Sequence, residues 1–383
     1  MSSTDGVVCS EADRLRASQD ASQIHCLTRG ESLGVMLIAE TGVLSLLAVI
    51  YVFGIIIRNI FRRRRLSEEW KVFEEPTDLL LASLFAIDGI QAVGAIINVV
   101  WLHRGKVETG PFCEAQGIFK QYGEVGVAFN TILIALYTFI ALWGGRKIRS
   151  MLKTAILVFL AWLAPLILVL IGNLTTQDFH GPVPLWCWIT KRHPVWRIMG
   201  EYLWMWLGLA ICILMYIPIY FWNRGNFVPQ DKWWKVRVRS TRCSPIDSEL
   251  RRKASIMLLY PLAYSIVVLP LSIIRWITFD REKKGYSEPT MATAATVLAG
   301  VLFASSGFLN VILYLRTRPD TALFGGRYRE GPRLPSTVGG PRTSTWSAKP
   351  SRSISDSPAS YICPDDRDSE LDDFGRAPPS ITR

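Results

Sequence analysis

The sequence predicts an all-α membrane protein, a seven-transmembrane helix bundle with its N-terminus outside and its C-terminus inside. Three observations lead there. Seven apolar stretches run through the 383 residues, at about 34–58, 79–102, 118–143, 155–173, 195–222, 254–279 and 291–315. Each can supply the roughly 20 helical residues that cross a bilayer. Lys and Arg collect in every second gap: Arg62 to Arg65 and Lys71 after the first stretch, Arg146, Lys147, Arg149 and Lys153 after the third, and a long basic run ending in Arg251, Arg252 and Lys253 after the fifth. Basic loops stay cytoplasmic, which fixes the expected orientation. Mean hydropathy is +0.23 despite a long polar tail. Trp pairs such as Trp186/Trp188 and Trp204/Trp206 fall near expected membrane boundaries, where amphipathic rings settle. The net charge of +11 is then cytoplasmic-loop charge facing anionic lipid, and no nucleic-acid partner is expected.

Residues 1–33 are polar, with no apolar run of the kind a cleavable signal peptide needs, so the first helix is expected to be its own insertion signal. A large extracellular domain is not expected, and a ligand would bind among helices and loops. Residues 34–318 form the helical domain. Residues 319–383 are rich in Ser, Thr, Pro, Gly and charge, cannot bury a core and read as a disordered cytoplasmic tail. In it, hydroxyls stand beside basic residues or before proline, as at Arg342-Thr343-Ser344-Thr345 and Arg352 to Pro358, so kinases are expected partners.

Polar side chains inside the apolar stretches are costly, so each invites a functional reading. In the first two stretches these are Glu40, Asp88 and Asn98. Lys120 and Glu124, at i and i+4, share one face of the third stretch, and Asn130 lies deeper. Glu201, Arg275 and Asn310 follow in the fifth, sixth and seventh. As a set they give two expectations. Lys120, Glu124, Glu201 and Arg275 wall an outward polar cavity that binds the ligand, with snorkelling as the other reading of Lys120. Asp88, Asn130 and Asn310 form a deeper cluster that acts as a conformational switch. Interhelical hydrogen bonds are the structural alternative for any one of them. Pro165, Pro218, Pro261 and Pro270 mark bendable helices, and the two in the sixth stretch make it a lever hinged near Pro261, with a static kink as the alternative. Asn173-Leu174-Thr175 is a glycosylation sequon near a helix end.

Three motifs resemble the cAMP-receptor-like receptors of slime moulds and fungi, including the fungal glucose-sensing type. They are Leu185-Trp186-Cys187-Trp188-Ile189 after the fourth stretch, Leu259-Tyr260-Pro261-Leu262 with Pro270 in the sixth, and Ser306-Gly307 with Asn310 and Tyr314 in the seventh. The resemblance covers about 34–318. It implies a plasma-membrane G-protein-coupled receptor that senses an extracellular small molecule, a nutrient such as a sugar or a cAMP-like compound. Output would pass through the α subunit of a heterotrimeric G protein to adenylate cyclase. The chain departs from rhodopsin-like receptors: no Asp-Arg-Tyr follows the third stretch, and the seventh lacks Asn-Pro-x-x-Tyr. Arg146, Lys147, Arg251, Arg252 and Lys253 are the expected G-protein contacts. The topology puts Cys113 and Cys187 on the oxidising side, and a bond between them is the pairing seen throughout seven-helix receptors. Cys9 and Cys26 fall on the same side, and both a bond and free thiols stay open for them.

Other seven-helix classes fit less well. A retinal protein needs a lysine in the last stretch, and 291–315 holds none. A zinc hydrolase needs histidines at membrane depth, whereas His25, His103, His180 and His193 all fall in the N-terminus, loops or helix ends. No catalytic role, cofactor or metal is therefore expected. A small-solute transporter is the alternative reading.

Overall fold

A computed structural model describes residues 9–20, 22–65, 73, 76–143, 150–223, 228–229, 236–237, 259–284 and 290–317. The basic positions Arg146, Lys147, Arg251, Arg252 and Lys253, and the tail 319–383, lie outside the described residues.

Among the described residues, six helical spans are long and apolar enough to cross a membrane, or seven if one bent pair counts as a span. The first is α2 (Arg29–Arg65), preceded by a short helix α1 (Glu11–Gln19). Thr28 and Glu31 start α2 with a reciprocal cap. The Thr28 hydroxyl accepts from the Glu31 amide at 3.2 Å, and the Glu31 carboxylate accepts from the Thr28 amide at 2.8 Å. The second span is α3 (Pro76–Ile96) with α4 (Asn98–Arg104), broken at Ile97. The third and fourth are α5 (Pro111–Trp143) and α6 (Met151–Thr175). The fifth opens with one turn, α7 (Pro194–Arg197), passes through a π-helical segment (Ile198–Tyr202) and continues as α8 (Leu203–Asn223). The sixth is α9 (Leu259–Lys283). The bent pair is α10 (Thr290–Ala304) and α11 (Ser306–Thr317), at 42°.

Burial shows which helices form the axis. The spans of α3 and α5 are 72% and 67% buried, against 33% or less for the other four. They approach closely because glycines face backbone. A Cβ on Gly123 would stand 2.7 Å from the Gln91 Cα, and one on Gly94 would stand 3.1 Å from the Lys120 amide nitrogen. Without a hydrophobic force between helices in lipid, such small-residue contacts carry the association.

Two small sheets gather at one end of the bundle. Strand β1 (Ile24–Cys26) pairs antiparallel with β2 (Lys106–Glu108), which joins the N-terminal segment to the connection between α4 and α5. Strands β3 (His180–Val183) and β4 (Trp186–Ile189) form a hairpin that turns at Pro184-Leu185. Bonds Cys9–Cys26 and Cys113–Cys187 fasten these pieces. Residues 9–20 and 22–26 are thus folded against the bundle, and the open question about Cys9 and Cys26 closes in favour of a bond. This end is the hairpin end below.

The bend between α10 and α11 has an identifiable cause. Side chains from two other helices enter the broken ladder. The Ser45 hydroxyl donates to the Ala304 carbonyl at 2.6 Å and accepts from the Phe308 amide at 3.3 Å. The Gln91 amide donates to the Phe303 carbonyl at 3.0 Å. Backbone groups freed by the break are thereby satisfied from α2 and α3, as burial in an apolar medium demands.

Gly123→Ala should push α3 and α5 apart and cost about 1–3 kcal/mol, the usual cost of overpacking a tight contact. Thermal unfolding of the detergent-solubilised protein checks this; an unchanged melting temperature would show that the contact can relax.

Candidate functional site

The hairpin presents its two tryptophans to a charged cavity in the bundle. Its placement starts at Gln116, a fully buried residue one turn beyond Cys113 on α5. The Gln116 carbonyl accepts from the Trp101 indole at 2.7 Å and from the Cys187 backbone amide at 2.8 Å. Its amide donates to the Asn98 side-chain oxygen at 2.7 Å and to the Gly94 carbonyl at 3.2 Å. All four bonding positions of one amide are used, and the disulfide and this amide hold β4 at the same point.

Farther along α5, Gln121 holds the other strand and the π segment. Its carbonyl meets the His180 imidazole at 3.3 Å, and its amide donates to the Gly200 carbonyl at 3.3 Å. His180 lies over Gly117, where a Cβ would come 2.3 Å from the ring.

Lys120, Glu124, Glu201 and Arg275 all line the resulting cavity, together with Gln91, Trp186, Trp188 and Tyr202. The expected set is brought together. Its charges are not equivalent. Lys120 pairs with Glu124 at 2.7 Å, and its ammonium also lies 4.7 Å from the centre of the Trp186 ring. Glu201, delivered by the π segment, accepts from the Trp188 indole at 2.5 Å and neighbours Glu124. Arg275 has no ion pair among the described residues. It stacks 5.3 Å from the Trp186 centroid and 5.6 Å from that of Trp188, and its buried Nε has no hydrogen-bond partner. The Gln91 carbonyl oxygen is also buried without a partner. As it stands the cavity holds about 20 Å³, room for roughly one water molecule. A larger recess of about 340 Å³ between α5 and α6, lined by Phe129, Leu133, Leu160 and other apolar groups, lies away from these charges.

The deeper polar set divides in two. Asp88 accepts from Ser306 at 3.2 Å and from the Asn310 amide at 2.8 Å, so it ties α3 to α11 just past the bend. Asn130 is not part of that group. It donates to the Gly126 carbonyl at 2.8 Å and accepts from Ser83 at 2.5 Å, and Ser83 in turn accepts from the Trp162 indole at 2.8 Å. That second network joins α3, α5 and α6. The single switch cluster expected from sequence is corrected accordingly, because Asn130 bonds Ser83 of α3 rather than Asp88 or Asn310. Tyr314 is buried and meets Phe85 edge-on at 5.5 Å. Pro270 lies inside the described part of α9, and Pro261 stands in its first described turn. The segment on its far side, which a hinge would move, lies outside the described residues. Asn173 is exposed in the last turn of α6, its amide donating to the Val169 carbonyl at 2.8 Å.

Sequence reasoning missed Gln91, Gln116 and Gln121. Neutral amides carry no charge signal, yet their spacing of 5 between 116 and 121 gave no single helical face to notice either. The π segment and the break at Ser305 also left no mark in the hydropathy pattern.

No protein-family model matches this chain, and no curated protein matches it. The class that can be stated from the fold is a helical membrane bundle with a disulfide-held hairpin over a charged cavity.

Two predictions follow from this geometry. The Lys120 and Glu124 side chains are 14% and 5% exposed. Lys120→Met should leave Glu124 uncompensated and cost about 3–5 kcal/mol, while Lys120→Met with Glu124→Leu should recover most of it. A double-mutant cycle by thermal unfolding would expose an uncoupled pair as simple additivity. Burial pushes the His180 imidazole down to about 4. The unfolded chain then takes up this proton near pH 6.5 and the folded one only near 4, so stability is intact above about 6.5 and falls as pH drops toward 4. The slope contributed is at most about 1.4 kcal/mol per pH unit, and His180→Asn should flatten it. A profile identical in that variant would assign the acid sensitivity elsewhere.

Proposed function

We propose that this protein is a plasma-membrane G-protein-coupled receptor of the cAMP-receptor-like kind. It would sense a small molecule at the hairpin end, facing outside, and signal to adenylate cyclase through the α subunit of a heterotrimeric G protein at the opposite end. The observation that carries the reading is the cavity beneath the Trp-Cys-Trp hairpin. Its walls come from α3, α5, the π segment, α9 and α10, so one ligand would touch most of the elements whose relative positions define a receptor state. Support also comes from the sequence motifs, since Trp186 and Trp188 of the hairpin line this cavity and Asn310 bonds Asp88 just past the helix bend.

In this reading the described arrangement is a contracted resting state. A ligand needs more space than one water molecule, and it gains by supplying a donor to Gln91 and an acceptor to Arg275. Opening the cavity moves α9 and α10 relative to α5. The bend carries that movement to Asp88, Ser306 and Asn310, whose bonds between α3 and α11 would differ between states. Only a ligand that binds the opened state better shifts the population toward it. Arg146, Lys147, Arg251, Arg252 and Lys253 are the proposed G-protein contacts, and lipid surrounds the bundle.

The test uses full-length protein in nanodiscs with a heterotrimeric G protein and a panel of sugars, other nutrients and cyclic nucleotides. A ligand should accelerate nucleotide exchange. Replacing Arg251, Arg252 and Lys253 together should abolish the acceleration without lowering ligand binding, and Asp88→Asn should change the basal rate. Uptake of a labelled panel solute into proteoliposomes, with no exchange activity under any ligand, would replace the receptor reading with a transporter.

A further inference from the structure

The charges of the cavity beneath the hairpin balance in number but not in place. Lys120 and Glu124 form an ion pair at 2.7 Å. Glu201, 1% exposed, adjoins Glu124 and accepts from the Trp188 indole. Two carboxyl groups matched by one ammonium leave a negative charge that a proton or a second cation has to meet. By count that second cation is Arg275, yet it forms no ion pair among the described residues. Its guanidinium lies against the Trp186 and Trp188 rings, and its buried Nε has no hydrogen-bond partner among them. Trp188 therefore carries the surplus carboxyl group at its indole N–H and the unpaired guanidinium at its ring. Gln91, 4% exposed, adds a buried carbonyl oxygen with no donor among the described residues. Unmet charges and carbonyls in an apolar setting are costly, so the cavity favours a molecule that meets all three at once.

Such a molecule has a cationic N–H donor at one end and an anion at the other. A neutral sugar brings hydroxyls but no charge for either Glu201 or Arg275. A cyclic nucleotide brings an anion for Arg275 and adds negative charge beside the carboxyl groups. An ammonium has enough donors for Gln91 and both carboxyl groups. A carboxylate takes the guanidinium in charge-assisted bonds. Ile38, Leu271 and Phe303 form an apolar part of the lining, which suits an apolar side chain.

We propose that the ligand of this cavity is a zwitterionic α-amino acid with an apolar side chain, its ammonium on Glu201, Glu124 and Gln91 and its carboxylate on Arg275. The proposal rests on the receptor reading only in taking this cavity as the ligand site. The described cavity has room for about one water, so the amino acid binds the opened state. There it spans the gap between Arg275 of α9 and the acidic residues of α5 and the π segment.

The experiment is a thermal-unfolding titration of the full-length protein in nanodiscs, without G protein. L-leucine, L-methionine and L-alanine are added in separate arms, each with its decarboxylated amine and its deaminated acid in parallel. At least one amino acid should protect saturably. Its amine and its acid should each need at least about tenfold more for half-saturation, the loss of a charge-assisted contact. Arg275→Gln should weaken the amino acid by about tenfold while leaving the amine unchanged, and Arg275→Lys should recover part of the loss. The amine and acid arms use the unaltered protein, so the test stands even where a variant fails to fold. Protection that rises linearly with concentration, as an excluded osmolyte gives, overturns the proposal. Equal half-saturation by an amino acid and either of its halves overturns it too, as does the absence of protection by all three amino acids. Saturable amino-acid binding that activates no G protein would keep the site and reject the receptor reading. Nucleotide exchange driven by a sugar, with no amino acid protecting, would keep the receptor and reject the zwitterion.

Discussion

The constraint on which the hairpin end depends is the double attachment of β4 to α5, through the Cys113–Cys187 bond and the Gln116 amide. The disulfide alone would fix one point and leave the strand free to pivot. Gln116 accepts from the backbone of Cys187 itself, so the strand's position and its tilt are set together. From there the consequences are geometric. The extended strand alternates its side chains, which puts Trp186 and Trp188 on the same side two residues apart. Trp186 reaches Lys120 and Arg275, and Trp188 reaches Glu201, Arg197 and Arg275. Four charged residues from α5, α7, the π segment and α9 are thereby organised around two indole rings. A buried amide with all its bonding positions used is costly to disturb, because every partner is left unsatisfied at once.

The same logic recurs at the irregular points of the helices. A helix break in an apolar medium exposes backbone groups that only neighbours can satisfy. The break at Ser305 is met by Ser45 from α2 and Gln91 from α3, and Asp88 binds the first turn after it. The π segment sends its Gly200 carbonyl to Gln121 of α5. Each irregularity is thus joined to an axial helix. These points have fixed partners. Movement of α10 against α11 has to pass through the side chains of Ser45, Gln91 and Asp88.

The spans were legible in the sequence because hydropathy over about 20 residues is the strongest signal a chain can carry. The cavity set was legible because charge inside an apolar stretch is rare and expensive. Lys120, Glu124, Glu201 and Arg275 were found by that criterion alone. Pairing among them was not, since i and i+4 spacing allows the Lys120–Glu124 bond but does not require it. Asn130 was misassigned because depth along a helix can be counted while its rotation toward a neighbour cannot. The glutamines escaped for a chemical reason: they are neutral, and their importance lies in geometry that exists only after packing. The folding of residues 9–20 and 22–26 onto the bundle was equally hidden. It comes from pairing with Lys106–Glu108 and from the Cys9–Cys26 bond, both set by distant partners.

Hydrogen–deuterium exchange of the backbone amides in residues 179–190 tests the double attachment most directly. Compared in full-length protein and a Gln116→Leu variant, both with the disulfide intact, exchange in the native hairpin should be slow and should accelerate at least about tenfold in the variant, equivalent to roughly 1.4 kcal/mol of lost local stability. Rapid exchange of the native hairpin, or equal rates in both proteins, would contradict the account, because the strand would then be held at the disulfide alone.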